Sequence, residues 1–331
     1  MDLSLFVDFG STYTKAAVID LAKEEIKLVV RSKTTLRSGL MEGLERALEE
    51  IYAKLGCRPD FKNKMACSSA AGGLKMVAIG LVKNLTAEAA KRAALGAGAR
   101  VMKVFAHELS SLEVQEIDSL QPDIVLLAGG TDGGNKEVLL HNARMLSQLA
   151  GNPPIIVAGN KAVAPEAAQI LLDRGFEAVV VDNVMPELNR INVEAAGRKI
   201  REIFINKIIE AKGFQQVESF MDGILMPTPA AVLNAAKLLA EGTGKEAGWG
   251  ELMAVDPGGA TTDVYSVAEG APTKDGIMWK GMPEPKVKRT VEGDLGMRHS
   301  AKAALESLAG RGWCDHVEWE ALVRYVDLFN A

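Results

Sequence analysis

Residues 3–20, LSLFVDFGSTYTKAAVID, constrain the fold of this chain more than any other stretch. An apolar run reaches Asp8, breaks at Gly10, passes through hydroxyl side chains and resumes as KAAVID. Leu3–Phe9 reads as a buried strand and Lys15–Ile19 as its antiparallel return, so the residues between must turn. Glycine permits the positive φ and the close backbone approach that such a turn needs. The hydroxyls of Ser11, Thr12 and Thr14, with free backbone amides, suit an anionic oxygen. Asp8 ends the strand where a carboxylate can hold Mg²⁺ through water. A polar hairpin without a ligand accounts for this stretch equally well. Residues 251–268, ELMAVDPGGATTDVYSVA, then repeat the design about 248 positions on: apolar strand, Asp256, Gly258-Gly259, the hydroxyls of Thr261 and Thr262, and an alternating strand carrying Asp263. A symmetric pair of such loops is able to hold a polyphosphate from two sides, with two carboxylates, Asp8 and Asp256, for a hydrated Mg²⁺.

The rest of the chain reads as α/β. Ile26–Arg31 is a third strand. Positions 40, 44, 48, 51 and 55 give Gly39–Leu55 the apolar spacing of an amphipathic helix. Lys64–Ser69 is a fourth strand, and a glycine turn leads to a further one over Leu74–Val82. This order is the opening of a ribonuclease-H-like lobe, expected over 1–85. From Thr86, expected to cap a helix, the pattern changes. Short apolar runs at 101–105, 124–127, 155–157 and 178–181 alternate with helical segments, as in a parallel sheet, and 86–212 is expected to be an inserted α/β domain. A second lobe is expected over 213–331, with a helix over Pro227–Leu239, the second hairpin, a strand over Lys286–Val291 and helices over 294–308 and 317–329.

Composition excludes several classes. A net charge of -5 gives no broad basic face for nucleic acid. The four histidines lack metal-ligand spacing, and three widely separated cysteines fit free thiols in a reducing compartment. The chain opens directly into a strand without the regions of a signal peptide, and no apolar run approaches the roughly 20 residues that span a bilayer. A cytoplasmic protein is expected.

The paired hairpins resemble the phosphate-1 and phosphate-2 loops of the actin, Hsp70 and sugar kinase superfamily, which implies an actin-like ATPase fold of two ribonuclease-H-like lobes. It also implies binding of ATP or ADP with Mg²⁺. Matching positions are Asp8, Gly10, Ser11, Thr12 and Lys15 in the first loop, and Asp256, Gly258, Gly259, Thr261, Thr262 and Asp263 in the second. Over most of the chain, VDFGSTYTKAAVIDL, MACSSAAGGLKMVAIGLV, LLAGGTDGGNKEVLLHNA, DPGGATTDVYSV and RTVEGDLGMRHSA resemble, in this order, the MutL-type accessory proteins encoded with glutamate (methylaspartate) mutase. That resemblance implies an ATP-driven factor, slowly hydrolysing, which acts on the subunits of an adenosylcobalamin-dependent mutase so that damaged cobalamin is exchanged.

Two features depart from the superfamily pattern. Residues 126–137, LLAGGTDGGNKE, are similar to its adenosine motif but precede the second hairpin; they read either as a ligand site at the end of a parallel strand or as a glycine-rich packing turn. No strand–Gly-Gly–helix segment follows Leu308, so the adenosine-binding segment is not found. No catalytic group is identified: Glu108, Asp123 and Asp132 read as surface or cap residues as well as candidates to polarise water, and Arg289, Glu292, Asp294 and Arg298 cluster around a glycine turn. The alternative function is a small-molecule kinase acting on a sugar or acid hydroxyl, which requires a carboxylate base beside a polar pocket. A filament-forming scaffold is a third class. A dehydratase activator with the same loops would need cluster-binding cysteines, which Cys57, Cys67 and Cys314 do not provide.

Overall fold

A computed structural model describes residues 2–10, 12–35, 39–69, 74–210, 217, 219–259, 261–270, 276, 284–292, 295–297, 301, 305, 308 and 316–330. The chain divides into two compact units, Met1–Gly72 with Lys212–Glu269 and Pro285–Ala331, and Gly73–Ala211 with Gly270–Glu284.

In the first unit, β1 (Leu3–Phe9), β2 (Tyr13–Asp20) and β3 (Glu25–Lys33) form an antiparallel meander. On the other edge of β1 lie β4 (Asn63–Ser68) and β10 (Gly223–Pro227), both parallel to it. The order β10-β4-β1-β2-β3 is that of a complete ribonuclease-H-like sheet. Its last strand comes from beyond residue 212, where the sequence pattern suggests only a helix entry. Helix α1 (Leu40–Leu55) packs on β2 and β3 through Leu40, Leu44, Ala47, Leu48 and Ile51, all buried, each large side chain contributing roughly 1.5–3 kcal/mol of burial. It ends at Gly56 in the left-handed region, φ 69°, where a side chain would be strained.

A second sheet in the same unit, β11 (Leu252–Pro257), β12 (Thr262–Val267) and β13 (Val287–Glu292), is an antiparallel meander of the same design as β1–β3. The helix α7 (Thr228–Glu241) joins the two sheets: its start follows β10, and Leu233, Ala236 and Ala240 pack with Tyr265 and Val267 of β12. The expected helix over 294–308 falls mainly outside the described residues, whereas α8 (His316–Asn330) forms as expected.

The second unit is a parallel sheet of β5 (Lys75–Gly80), β6 (Arg100–Ala106), β7 (Ile124–Leu127), β8 (Ile155–Val157) and β9 (Ala178–Val180), ordered β6-β5-β7-β8-β9. In chain order this is 2-1-3-4-5, a doubly wound arrangement. The strand β5, grouped with the first lobe on sequence, pairs instead with β6 and β7. Its pattern permits either reading: five consecutive buried residues suit any strand covered on both faces. Helices α2 (Thr86–Gly96), α3 (Ser111–Leu120), α4 (Glu137–Leu146), α5 (Ala164–Leu172) and α6 (Glu194–Glu210) belong to this unit. Thr86 does not cap α2. Its Oγ1 accepts from the N–H groups of Leu81 (2.7 Å) and Val82 (3.0 Å), closing the β5–α2 turn, where Gly80 leaves no room for a Cβ beside Ala87. No helix among the described residues is long and apolar enough to cross a membrane.

Candidate functional site: two matched hairpins

The two hairpins repeat the same glycine turn, each braced by the segment that follows its third strand. In the first, the register pairs Asp8 with Lys15, and Gly10 N–H donates to Tyr13 O at 3.0 Å. In the second, Asp256 pairs with Asp263, and Gly258 N–H donates to Thr261 O at 2.8 Å. A Cβ on Gly10 would lie 2.7 Å from the Tyr13 oxygen, and one on Gly258 2.9 Å from that of Thr261. Glycine is therefore required here by close approach, not by positive φ. The segment after the third strand closes each turn from behind. Thr34 Oγ1 donates to Gly10 O (2.8 Å), as Met297 N–H does to Gly258 O (2.8 Å). Thr14 Oγ1 meets Thr34 Oγ1 at 3.1 Å, and Thr262 Oγ1 donates to Leu295 O at 2.6 Å. Thr14 and Thr262 thus brace their turns and do not present free hydroxyls. Thr12 differs: its Oγ1 is buried with no hydrogen-bond partner among the described residues, a costly state for a hydroxyl unless a ligand or water completes it. Ser11 lies outside the described residues, and Gly259 and Thr261 sit half-buried in the second turn.

Asp8 is held from three sides. Thr228 Oγ1, in the first turn of α7, donates to its Oδ1 at 2.7 Å; Cys67 Sγ lies 3.7 Å from the same oxygen; Lys15 Nζ is 3.5 Å from Oδ2. Burial first, and then the Asp8 charge, push the Cys67 thiol up to about 11. Beside this cluster is a cavity of about 310 Å³ lined by Phe6, Asp8, Lys15, Cys67, Met226 and Ala231 among others. Thr228 is missed on sequence because it lies 220 positions from Asp8 and only the pairing of β10 with β4 brings it there. The one available signal is the Pro227-Thr228-Pro229 helix entry.

In the second hairpin, Arg289 on β13 donates to Asp263 Oδ1 through Nε (2.9 Å) and Nη2 (2.7 Å), and both side chains are almost fully buried. Burial raises the Asp263 carboxyl, and the guanidinium pulls against it. Arg289, read on sequence with Glu292, Asp294 and Arg298, is thus a buried partner of Asp263; Asp294 and Arg298 lie outside the described residues. The Asp256 side chain has no hydrogen bond or ion pair among the described residues. Asp8 and Asp256 offer hard carboxylate oxygens of the kind Mg²⁺ takes through water, and no group of three or more His, Cys, Asp or Glu suited to a tighter metal site is found among the described residues.

The remaining candidates sit in the other unit. Glu108 is exposed. Asp123 pairs with Lys207 and accepts from Lys75 N–H (2.9 Å). Burial alone would raise the Asp132 carboxyl, but Asn183 Nδ2 (3.0 Å), the Lys161 N–H (3.0 Å) and the Lys161 ammonium hold it below its ordinary value. The glycine-rich loop 129–134 is braced internally. Asn160, fully buried, accepts from Gly133 N–H and donates to the carbonyls of Gly134 and Asn135, while Asn183 donates to Gly130 O. Gly130, at φ 69°, has no room for a Cβ against Asn135 O. A larger cavity of about 770 Å³ opens where the chain enters β7, β8 and β9; there Asp118 is engaged by the N–H groups of Ala150 and Gly151, and Asp123 as above.

A complete ribonuclease-H-like sheet, a second meander of the same design and a parallel α/β unit define a mixed α/β protein built around a repeated Asp-Gly hairpin. The model of the MutL protein family matches residues 4–331, and the chain belongs to that family. A curated relative, Protein MutL of Clostridium tetanomorphum, is 54% identical over 331 residues, covering 98% of this chain and 72% of its own. Among solved structures, the activator of the 2-hydroxyisocaproyl-CoA dehydratase from Clostridium difficile with bound ADPNP covers 62% of this chain and 97% of its own, at 12% identity and a TM-score of 0.18, a likeness that carries no argument.

Proposed function

We propose that the chain is an ATP-dependent accessory protein of the reactivating type, serving an adenosylcobalamin-dependent mutase. The observation that carries the nucleotide half of this reading is the repetition of the glycine turn in the two hairpins, each braced from behind with a carboxylate at its base. The mutase half rests on the family's motifs, of which LLAGGTDGGNKE and RTVEGDLGMRHSA have no place in a generic kinase. The amides of the two turns and the unsatisfied Thr12 hydroxyl bind phosphate oxygens. Lys15, largely exposed, swings from Asp8 to the phosphate. Asp8 and Asp256 hold the waters of Mg²⁺, which neutralises phosphate charge when bound. Helix α7, whose Thr228 grips Asp8 while its flank packs on β12, couples the two turns, so closure on nucleotide becomes a movement passed to the mutase.

Calorimetric titration with Mg²⁺–ATP tests the first half: Asp8→Ala and Asp256→Ala are each expected to weaken binding at least about tenfold, the scale of a lost charge-assisted contact, and unchanged affinity in both removes the site. The second half is tested by ATP-dependent release of cyanocobalamin from a purified glutamate-type mutase. No acceleration by ATP would reject it.

A further inference from the structure

We infer that Arg289 is a positioning residue of the second hairpin: it supplies the counter-charge to Asp263, so that Asp256 alone of the two facing carboxylates presents its charge to a bound Mg²⁺–nucleotide. The inference deepens the nucleotide reading and takes its ligand from it.

The two hairpins match position for position, with one inversion of charge. Opposite Asp8 the cross-strand residue is Lys15; opposite Asp256 it is Asp263. Like charges directly opposite on neighbouring strands destabilise a sheet, so the second hairpin needs a cation that the first carries within itself. Arg289 comes from one strand further over, where it pairs with Tyr265, and reaches two positions along to Asp263. The two cations differ in freedom. The Lys15 side chain is 59% exposed and 3.5 Å from its carboxylate, whereas that of Arg289 is 4% exposed and makes two bonds to one oxygen. Lys15 is therefore able to leave Asp8 for an anion. Arg289 is not able to leave Asp263, since that would strand two buried charges. The first hairpin thus offers a mobile cation for phosphate, and the second a fixed neutral pair behind one carboxylate, Asp256, whose side chain is unpaired among the described residues. Asp263, grouped on sequence with the ligand contacts, is by this argument a partner of Arg289.

The test is a double-mutant cycle on the full chain, reading ATP affinity in excess Mg²⁺ and again in EDTA. Arg289→Met leaves two facing carboxylates and is expected to raise the ratio of the two affinities by about tenfold, the effect of one unit charge over several ångströms at an intermediate dielectric. Asp263→Asn leaves Arg289 against Asp256 and is expected to lower the ratio by a similar factor. The double variant is expected to return to within about threefold of the parent. A packing role would move both single variants in the same direction; that result, or no movement in either, overturns the inference. If Arg289→Met does not fold, the fall in the ratio for Asp263→Asn and its return to the parent value in the double variant decide. Mn²⁺ binding followed by electron paramagnetic resonance without nucleotide provides an arm independent of ATP. Arg289→Met should gain Mn²⁺ affinity and the double variant should lose it again, and equal binding by Arg289→Met and the parent overturns the inference. A parent protein that binds no ATP while the Mn²⁺ arm behaves as expected would instead reject the nucleotide reading and leave the counter-charge role standing.

Discussion

At the scale of single residues, Cys67 is the most informative probe of the site because its surroundings dictate its chemistry. The thiolate is the reactive form of cysteine. Burial and the neighbouring Asp8 charge push the Cys67 thiol up to about 11, so roughly a thousandth of it is ionised at pH 8. Cys57 is exposed. Alkylation followed by mass spectrometry should therefore modify Cys57 well before Cys67 at pH 8, and the Cys67 rate should climb about tenfold per pH unit until pH approaches 11. A rate for Cys67 that is flat above pH 9 would show that the thiol does not share its burial with Asp8. Little of this is visible in sequence. Asp8 is conspicuous there because a carboxylate interrupts an apolar run, and Gly10 because a glycine follows it. Thr228 and Arg289 are not, since a threonine before a helix and an arginine in a strand are ordinary, and their significance lies only in what the sheets bring beside them.

At the scale of elements, the hairpins were the most legible part of the fold. Their alternation of apolar strand, turn glycine and returning strand is local chemistry, and local chemistry survives in sequence. The structure changes the reason for the glycines. At Gly10 and Gly258 a side chain is excluded by the carbonyl that closes the turn, so Gly10→Ala, with its Cβ 2.7 Å from Tyr13 O, should force the turn open. The expected loss is about 1–3 kcal/mol by chemical denaturation, as for other overpacked sites, with a smaller loss for Gly258→Ala, where the distance is 2.9 Å. Equal stability of Gly10→Ala and the parent would mean that the turn has another conformation available. What sequence could not decide is which sheet a strand joins. The run over 74–82 is apolar enough for either sheet, and only pairing with β6 and β7 assigns β5 to the second unit. Conversely, β10 is too short and too close to its proline to stand out, yet it completes the first sheet and delivers Thr228. The loop at 129–134 illustrates the same limit: its glycines suit ligand approach and packing alike, and the buried side chains of Asn160 and Asn183 that brace it come from the ends of other strands.

At the scale of the whole molecule, the division into two units makes a prediction that neither hairpin makes alone. All the groups proposed to hold nucleotide, from Asp8 and Thr12 to Asp256, belong to the unit that contains both meanders, while β5 to β9 form a core of their own around Val77, Ile79, Val125, Leu127 and Val157. A ligand stabilises what it binds by RT ln(1 + [L]/Kd), about 2.7 kcal/mol at a hundredfold excess over Kd. Amides that exchange only when the first unit opens should then exchange about a hundredfold more slowly with Mg²⁺–ATP present. Those of β7 to β9, whose opening does not release the ligand, should not change. Hydrogen exchange read by mass spectrometry separates the two sets, because β1, β2, β11 and β12 share no stretch of chain with β7 to β9. Equal protection of both sets would mean that the units open as one block. Protection confined to β7 to β9 would move the nucleotide to the parallel sheet and remove the hairpins from the site.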